Sequence, residues 1–287
     1  MAISNTPDSF VVTANSNTWR EFLIALEDHV VNNTNSTKWD LQNRDDDGTN
    51  YGITLKPVDA DENFYVNYRY DDSSGELLMT VDPEENISNP LSPNLSGAAA
   101  PESPRAGRPG APSGYSSEIL VMEWTDTIGF LTKDSTKKYL PSWHIGGRVY
   151  EPIFSNDPPR GLDGLGWYGG RPEDLQYRWG SDGNSNSASQ FRVPGGWAQV
   201  QSREMDQDGG HTLSWSSFIP SSYMITDVND VNRSIGIAKY AFNSPNEHGR
   251  EGIRRLGGGA NDGWISMSYD GDGHNLLIPW DHSVSPS

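Results

Sequence analysis

The sequence contains no cysteine, so disulfides, thiolate metal sites and cysteine nucleophiles are excluded together. Lysine is almost as scarce: 6 Lys and 15 Arg stand against 25 Asp and 14 Glu, for a formal net charge of -18. A surface with so few cations argues against general nucleic-acid binding, which needs basic side chains to displace counterions from phosphates. It argues equally against docking on anionic lipid. No stretch approaches the roughly 18 apolar residues of a membrane-spanning helix, and Met1 to Phe10 carries neither a basic start nor an apolar run, so no secretory signal is expected. Synthesis in the cytoplasm is the corresponding expectation.

Aliphatic residues are also sparse, with 34% of the chain apolar. What is abundant is aromatic: 10 Trp, 12 Tyr and 8 Phe, enough to build a core from large rings and unlike the composition of a disordered chain. The manner in which the charge arises is equally informative. Excess Asp with depleted Lys is expected of a protein kept folded in molar salt. There the Debye length is about 3 Å and repulsion between exposed carboxylates is nearly abolished, while short acids keep the surface hydrated without the apolar stems of lysine.

Along the chain, Thr18-Trp19-Arg20-Glu21 reads as a capping box. It is followed by Trp19, Phe22, Leu23, Leu26 and Val30 at helical spacing, and Asn32 and Asn33 close the helix. Ser9 to Thr13 suggests a strand before it. After the helix the period becomes two: Lys38 to Gln42, Tyr51 to Pro57, Asn63 to Tyr70 and Glu76 to Asp82 read as strands between Asp- and Gly-rich turns. Residues 1–82 are thus expected to form a small α+β domain. Residues 83–116 are dense in Pro, Gly, Ala and Ser, with too little apolar area to offset their ordering entropy. They read as a linker, or as an arm ordered against a neighbouring subunit.

Residues 117–287 are expected to form a larger β-rich domain, sandwich- or barrel-like. The fold class is therefore mainly β with one N-terminal helix. Glu118 to Trp124 and Ile128 to Thr132 read as paired strands and His144 to Phe154 as another, with further strands at Trp197 to Arg203, Tyr223 to Thr226, Ser234 to Phe242, Trp264 to Tyr269 and Leu276 to Trp280. Asp270-Gly271-Asp272-Gly273 reads as a hairpin turn between the last two. Residues 161–196, rich in Gly and Trp, read as loops, as does the basic cluster Arg250, Arg254 and Arg255.

Motifs of chemistry are weak. Asn43-Arg44-Asp45-Asp46-Asp47-Gly48 imitates a calcium loop, but Thr54 stands where a bidentate Glu would be needed, and turns account for it and for Asp206-Gln207-Asp208-Gly209. No two of the six histidines have ligand spacing, there is no Gly-x-Ser-x-Gly elbow, and Gly257-Gly258-Gly259-Ala260 lacks the lysine of a phosphate loop. No catalytic residue, cofactor or metal is expected. Among the aromatics, Trp167, Tyr168 and Trp179 are the candidates for a glycan-stacking platform or an interface, although a core role is the stronger reading in a chain so poor in aliphatics.

The helix-and-strands start, the Pro-rich break, Phe130-Leu131-Thr132 followed by Trp143-His144-Ile145-Gly146-Gly147-Arg148, and the closing Leu276-Leu277-Ile278-Pro279-Trp280 resemble tailed-phage virion proteins. The acidic bias directs that resemblance to tailed viruses of haloarchaea. It implies a non-enzymatic subunit of a tail, baseplate or neck, made in the host cytoplasm and resident in the virion, whose partners are copies of itself and other virion proteins. The alternative is an adhesin recognising a host surface glycan or glycoprotein; a polysaccharide hydrolase of a halophile ranks below both, because no carboxylate pair stands out among 39 acids.

Overall fold

The computed structural model describes residues 8–14, 19–32, 38–59, 61–73, 76–82, 89–91, 117–133, 143–152, 164–170, 188–193, 196–198, 200–204, 221–227, 234–244, 252–255, 264–268 and 275–279. They are mainly β, with one helix near the N-terminus followed by antiparallel sheets.

The helix, α1 (Trp19–Asn32), buries the stripe its spacing predicts: Trp19, Phe22, Leu23, Leu26 and Val30. Its expected cap, Thr18, lies outside the described residues. The stripe packs on a meander of four strands, β2 (Trp39–Asp46), β3 (Tyr51–Pro57), β4 (Tyr65–Asp71) and β5 (Glu76–Asp82), paired in that order. Ile53, Leu55, Val66, Tyr68, Leu77, Met79 and Val81 supply the sheet's side of the core. Polar clamps at the rim fix the helix on the sheet. Arg20 donates through Nη2 to both carboxylate oxygens of Asp46 (2.8 and 2.7 Å), and Glu27 accepts from Arg44 Nη1 (3.2 Å) and from the Tyr51 hydroxyl.

A second sheet runs β1 (Asp8–Ala14), β6 (Ser117–Glu123), β7 (Thr127–Lys133), β8 (Trp143–Arg148), β10 (Leu165–Gly170), β11 (Ala188–Val193) and β12 (Gly196–Ala198). The first strand of the chain therefore pairs along its full length with β6, from Asp8 opposite Glu123 to Ala14 opposite Ser117. Val121, Ile128, Phe130, Leu165 and Trp167 of this sheet join the same apolar cluster as α1 and β2–β5. Phe130 lies at its centre, with ring centroids 5.5 Å from Trp19, 5.0 Å from Phe22 and 6.0 Å from Tyr68.

The third sheet runs β13 (Val200–Glu204), β14 (Ser221–Asp227), β15 (Ser234–Ser244), β18 (Asn275–Pro279), β17 (Trp264–Ser268) and β16 (Gly252–Arg255), with β9 (Tyr150–Pro152) also on β15. β17 and β18 pair antiparallel as the expected hairpin requires; the Asp270–Gly273 turn itself lies outside the described residues.

Three expectations need correction. Residues 161–196 are not loop throughout, because β10 and β11 run through them. The glycines of the neighbouring β8 allow close packing there: Gly146 and Gly147 lie opposite Trp167 and Gly166 of β10, and a Cβ on Gly146 would come within 2.7 Å of Met79 Sδ on β5. The run His144 to Phe154 is likewise not one strand. It divides at Val149 into β8 and β9, which belong to different sheets, after Gly147 turns the backbone at φ 124°. Finally, Arg254 and Arg255 lie in a strand, β16, paired with Ser266 and Ile265 of β17, rather than in a loop.

Gly147 also yields a test. A Cβ there would sit 2.4 Å from the Asp126 carbonyl oxygen and 2.9 Å from Thr127 Cα, in a backbone region L-residues avoid. Gly147→Ala is expected to cost about 1–3 kcal/mol in urea denaturation. Gly48→Ala, with φ 89° but nothing within 4 Å, carries only the conformational share, about 1 kcal/mol. Equal losses would mean that the Asp126–Thr127 backbone does not approach β8 so closely.

Candidate functional site

Where the three sheets meet, the sequence places charge in a buried position. The β6–β7 hairpin is a tight turn, closed by Trp124 N donating to Thr127 O at 2.8 Å, and it carries Asp126 inward to 4% exposure. Asp126 is gripped from both sides. Its backbone carbonyl accepts from Arg148 N (2.8 Å). Its Oδ1 accepts from the Tyr240 hydroxyl (2.7 Å) and from Thr127 Oγ1 (3.2 Å), and its Oδ2 accepts from Lys239 Nζ. Thr127 shares its single hydroxyl proton between that carboxylate and the Arg148 carbonyl (3.0 Å).

Lys239 and Tyr240 are consecutive on β15, whose Lys239 amide donates to Val149 O (3.0 Å) at the crossing point between sheets. The Tyr240 ring stacks on Trp124 with centroids 4.3 Å apart, and Trp39 Nε1 donates to the Trp124 carbonyl (2.9 Å). On the other side, Arg148 Nε donates to Glu62 Oε2, with the guanidinium carbon 5.7 Å from the Phe64 ring centroid. Two ion pairs, Glu62–Arg148 and Asp126–Lys239, therefore tie the loop before β4, the β6–β7 turn, the end of β8 and the middle of β15 into one joint. Such pairs, sheltered from water, are screened by salt far less than surface charges.

The Asp-rich turns are occupied by their own backbone. Asp46 Oδ1 accepts from Gly48 N (2.9 Å), and Asp47 Oδ1 from Thr49 N (2.8 Å) and Asn50 N (2.6 Å). The Arg20 hydrogen bond, then the Gly48 amide, holds the Asp46 carboxyl below the usual range; the Asn50 side chain and the turn amides do the same for Asp47. Among the described residues no group of three or more His, Asp or Glu side chains is placed to hold a metal ion. Burial pushes the Tyr68 hydroxyl up, and burial with the Glu27 hydrogen bond does so for Tyr51; both remain neutral phenols.

Of the three aromatics singled out in the sequence, Trp167 lies on β10 with its indole in the core, 1% exposed. Tyr168 follows it on the same strand, opposite Ile145 and Ser189. Its side chain and all of Trp179 lie outside the described residues. The ionic joint had no motif to announce it. Its one local signal is Lys239, one of only 6 lysines, set inside the apolar strand Ile235-Gly236-Ile237-Ala238-Lys239-Tyr240-Ala241-Phe242.

Comparison with protein-family models, with curated proteins and with solved structures gave no match.

Proposed function

We propose that the chain is a structural protein of the particle of a tailed virus of haloarchaea, working through subunit interfaces in its tail, baseplate or neck rather than by catalysis. Its partners on this reading are copies of itself and other virion proteins, and its place is the virion. The observation that carries the reading is the outer edge of β1. Among the described strands β1 is paired only with β6, and Phe10-Val11-Val12 gives it a β-branched, apolar run. An open edge of this composition is a template for a strand from another chain. Residues 89–91, within the segment expected as a linker or arm, lie on their own chain, with Pro90 buried against Gly52 of β3. The Asp-rich, Lys-poor composition supports a molar-salt setting.

The test is molar mass by light scattering after size exclusion, in multimolar and in dilute salt. A closed oligomer at high salt, dissociating in dilute buffer where repulsion among the excess acids is no longer screened, is the expected result. A monomer indifferent to salt would overturn the salt argument and favour a stand-alone binding protein.

A further inference from the structure

We propose that Lys239 and Asp126 are a self-processing pair: in the folded chain they condense to an amide that staples β15 to the β6–β7 turn. The two residues lie 113 positions apart in the sequence and their side chains are in direct contact through Nζ and Oδ2. Neither faces bulk water, with side-chain exposures of 12% and 5%. The Tyr240 ring, stacked on Trp124, stands 5.0 Å from Nζ.

The arrangement around the carboxylate is that of an acyl-transfer centre. The atom facing the nitrogen is Oδ2, the oxygen that must leave. The other oxygen, Oδ1, would carry the negative charge of the addition intermediate, and it is the one held by the hydroxyls of Tyr240 at 2.7 Å and Thr127 at 3.2 Å. Hydroxyl donors fixed on a developing oxyanion in a water-poor site lower the barrier to addition. Glu151 Oε1 lies 3.7 Å from Nζ while its side chain is 69% exposed, so it links the reacting nitrogen to solvent and can carry protons from it.

The step balances without any outside reagent. The Nζ–Cγ bond forms and the Cγ–Oδ2 bond breaks. Glu151 first takes one of the three ammonium protons, which frees the Nζ lone pair to add to Cγ; a second leaves the nitrogen as the intermediate collapses, both depart with Oδ2 as water, and the third stays on the amide nitrogen. The positive and negative charges disappear together, which relieves the desolvation cost of keeping an ion pair in the interior. Holding amine and acid in contact supplies an effective molarity of up to about 10⁵–10⁸ M in well-oriented systems, while the Tyr240 and Thr127 hydroxyls on Oδ1 and the protons carried by Glu151 to Oδ2 activate the acid.

The experiment is intact-mass measurement of the purified, denatured full chain after incubation in multimolar salt, followed by proteolysis and sequencing of cross-linked peptides. The expected mass is one water below that of the sequence, with a branched peptide joining the Asp126 and Lys239 segments. Lys239→Arg, which keeps the charge but not the nucleophile, should restore the full mass. Glu151→Gln should slow the loss of water without preventing folding, as judged by circular dichroism. Because Asp-Gly steps such as Asp47-Gly48 and Asp163-Gly164 can also lose water by cyclising, the branched peptide is the deciding readout. A full wild-type mass, or a loss of water that persists in Lys239→Arg with no branched peptide, overturns the proposal. Either result leaves the assembly reading standing, since that is judged by oligomer mass alone.

Discussion

Phe130→Ala is expected to destabilise the protein by about 3–5 kcal/mol, the range for removing a buried phenyl ring and leaving a partly collapsed cavity. The ring belongs to β7, yet its neighbours are Trp19 and Phe22 of α1 and Tyr68 of β4. With Val121, Ile128, Leu165 and Trp167 it carries the sheet containing β1 and β6–β8 into the core of the helix and its four-stranded sheet. Losing it should therefore weaken both parts together. A single urea transition shifted to a lower midpoint with unchanged slope is the expected signature. Ile24→Ala on the outer side of α1, at 38% exposure, serves as the control and should stay within about 0.5 kcal/mol of wild type. A Phe130→Ala cost below about 1 kcal/mol, or a transition split in two, would mean that the helix-bearing sheet and the β1–β6–β7 sheet do not share a core.

What could be read locally in the sequence was read from periodicity. The five apolar residues of α1 predicted from spacing are the five it buries, and Tyr51 to Pro57 and Glu76 to Asp82 are strands with the predicted bounds. Alternation there is legible because Tyr51, Ile53 and Leu55 of β3 and Leu77, Met79 and Val81 of β5 all enter one apolar cluster. The failures are of two kinds. Glycine-rich sequence reads as punctuation in 161–196, yet β10 and β11 run through it, and in β8 glycine is what lets Met79 and the Asp126–Thr127 backbone approach; composition alone does not separate those uses. Pairing partners were the other difficulty. That β1 lies beside β6, across the whole helix-bearing region and residues 83–116, is a long-range fact with no local trace. The ionic joint failed to announce itself for the same reason. In the sequence Asp126 falls between two expected strands and Arg148 inside the run His144 to Phe154, and only the crossing of three sheets brings Glu62, Asp126, Arg148 and Lys239 into one place.

That crossing is also where salt should matter least. Arg148→Met is expected to cost about 3–5 kcal/mol, the penalty of leaving a buried charge without its counter-ion, because the Glu62 side chain is 0% exposed and loses its guanidinium. Replacing both partners, Arg148→Met with Glu62→Gln, removes the stranded charge and should recover most of that loss, so the double variant should be more stable than the single one. The decisive comparison is with the surface clamp. Arg20→Met breaks a pair with Asp46 at the rim of the helix, where solvent and ions reach both groups, so its small effect in dilute buffer should vanish in molar salt. The Arg148→Met cost, measured by urea denaturation at both salt concentrations, should not change beyond the general shift that all variants share. A penalty that fades with salt as the Arg20 effect does would mean that water reaches Glu62 and the joint is open. A salt-independent penalty would mark the joint as a part of the fold that screening does not reach, in a chain whose formal net charge is -18.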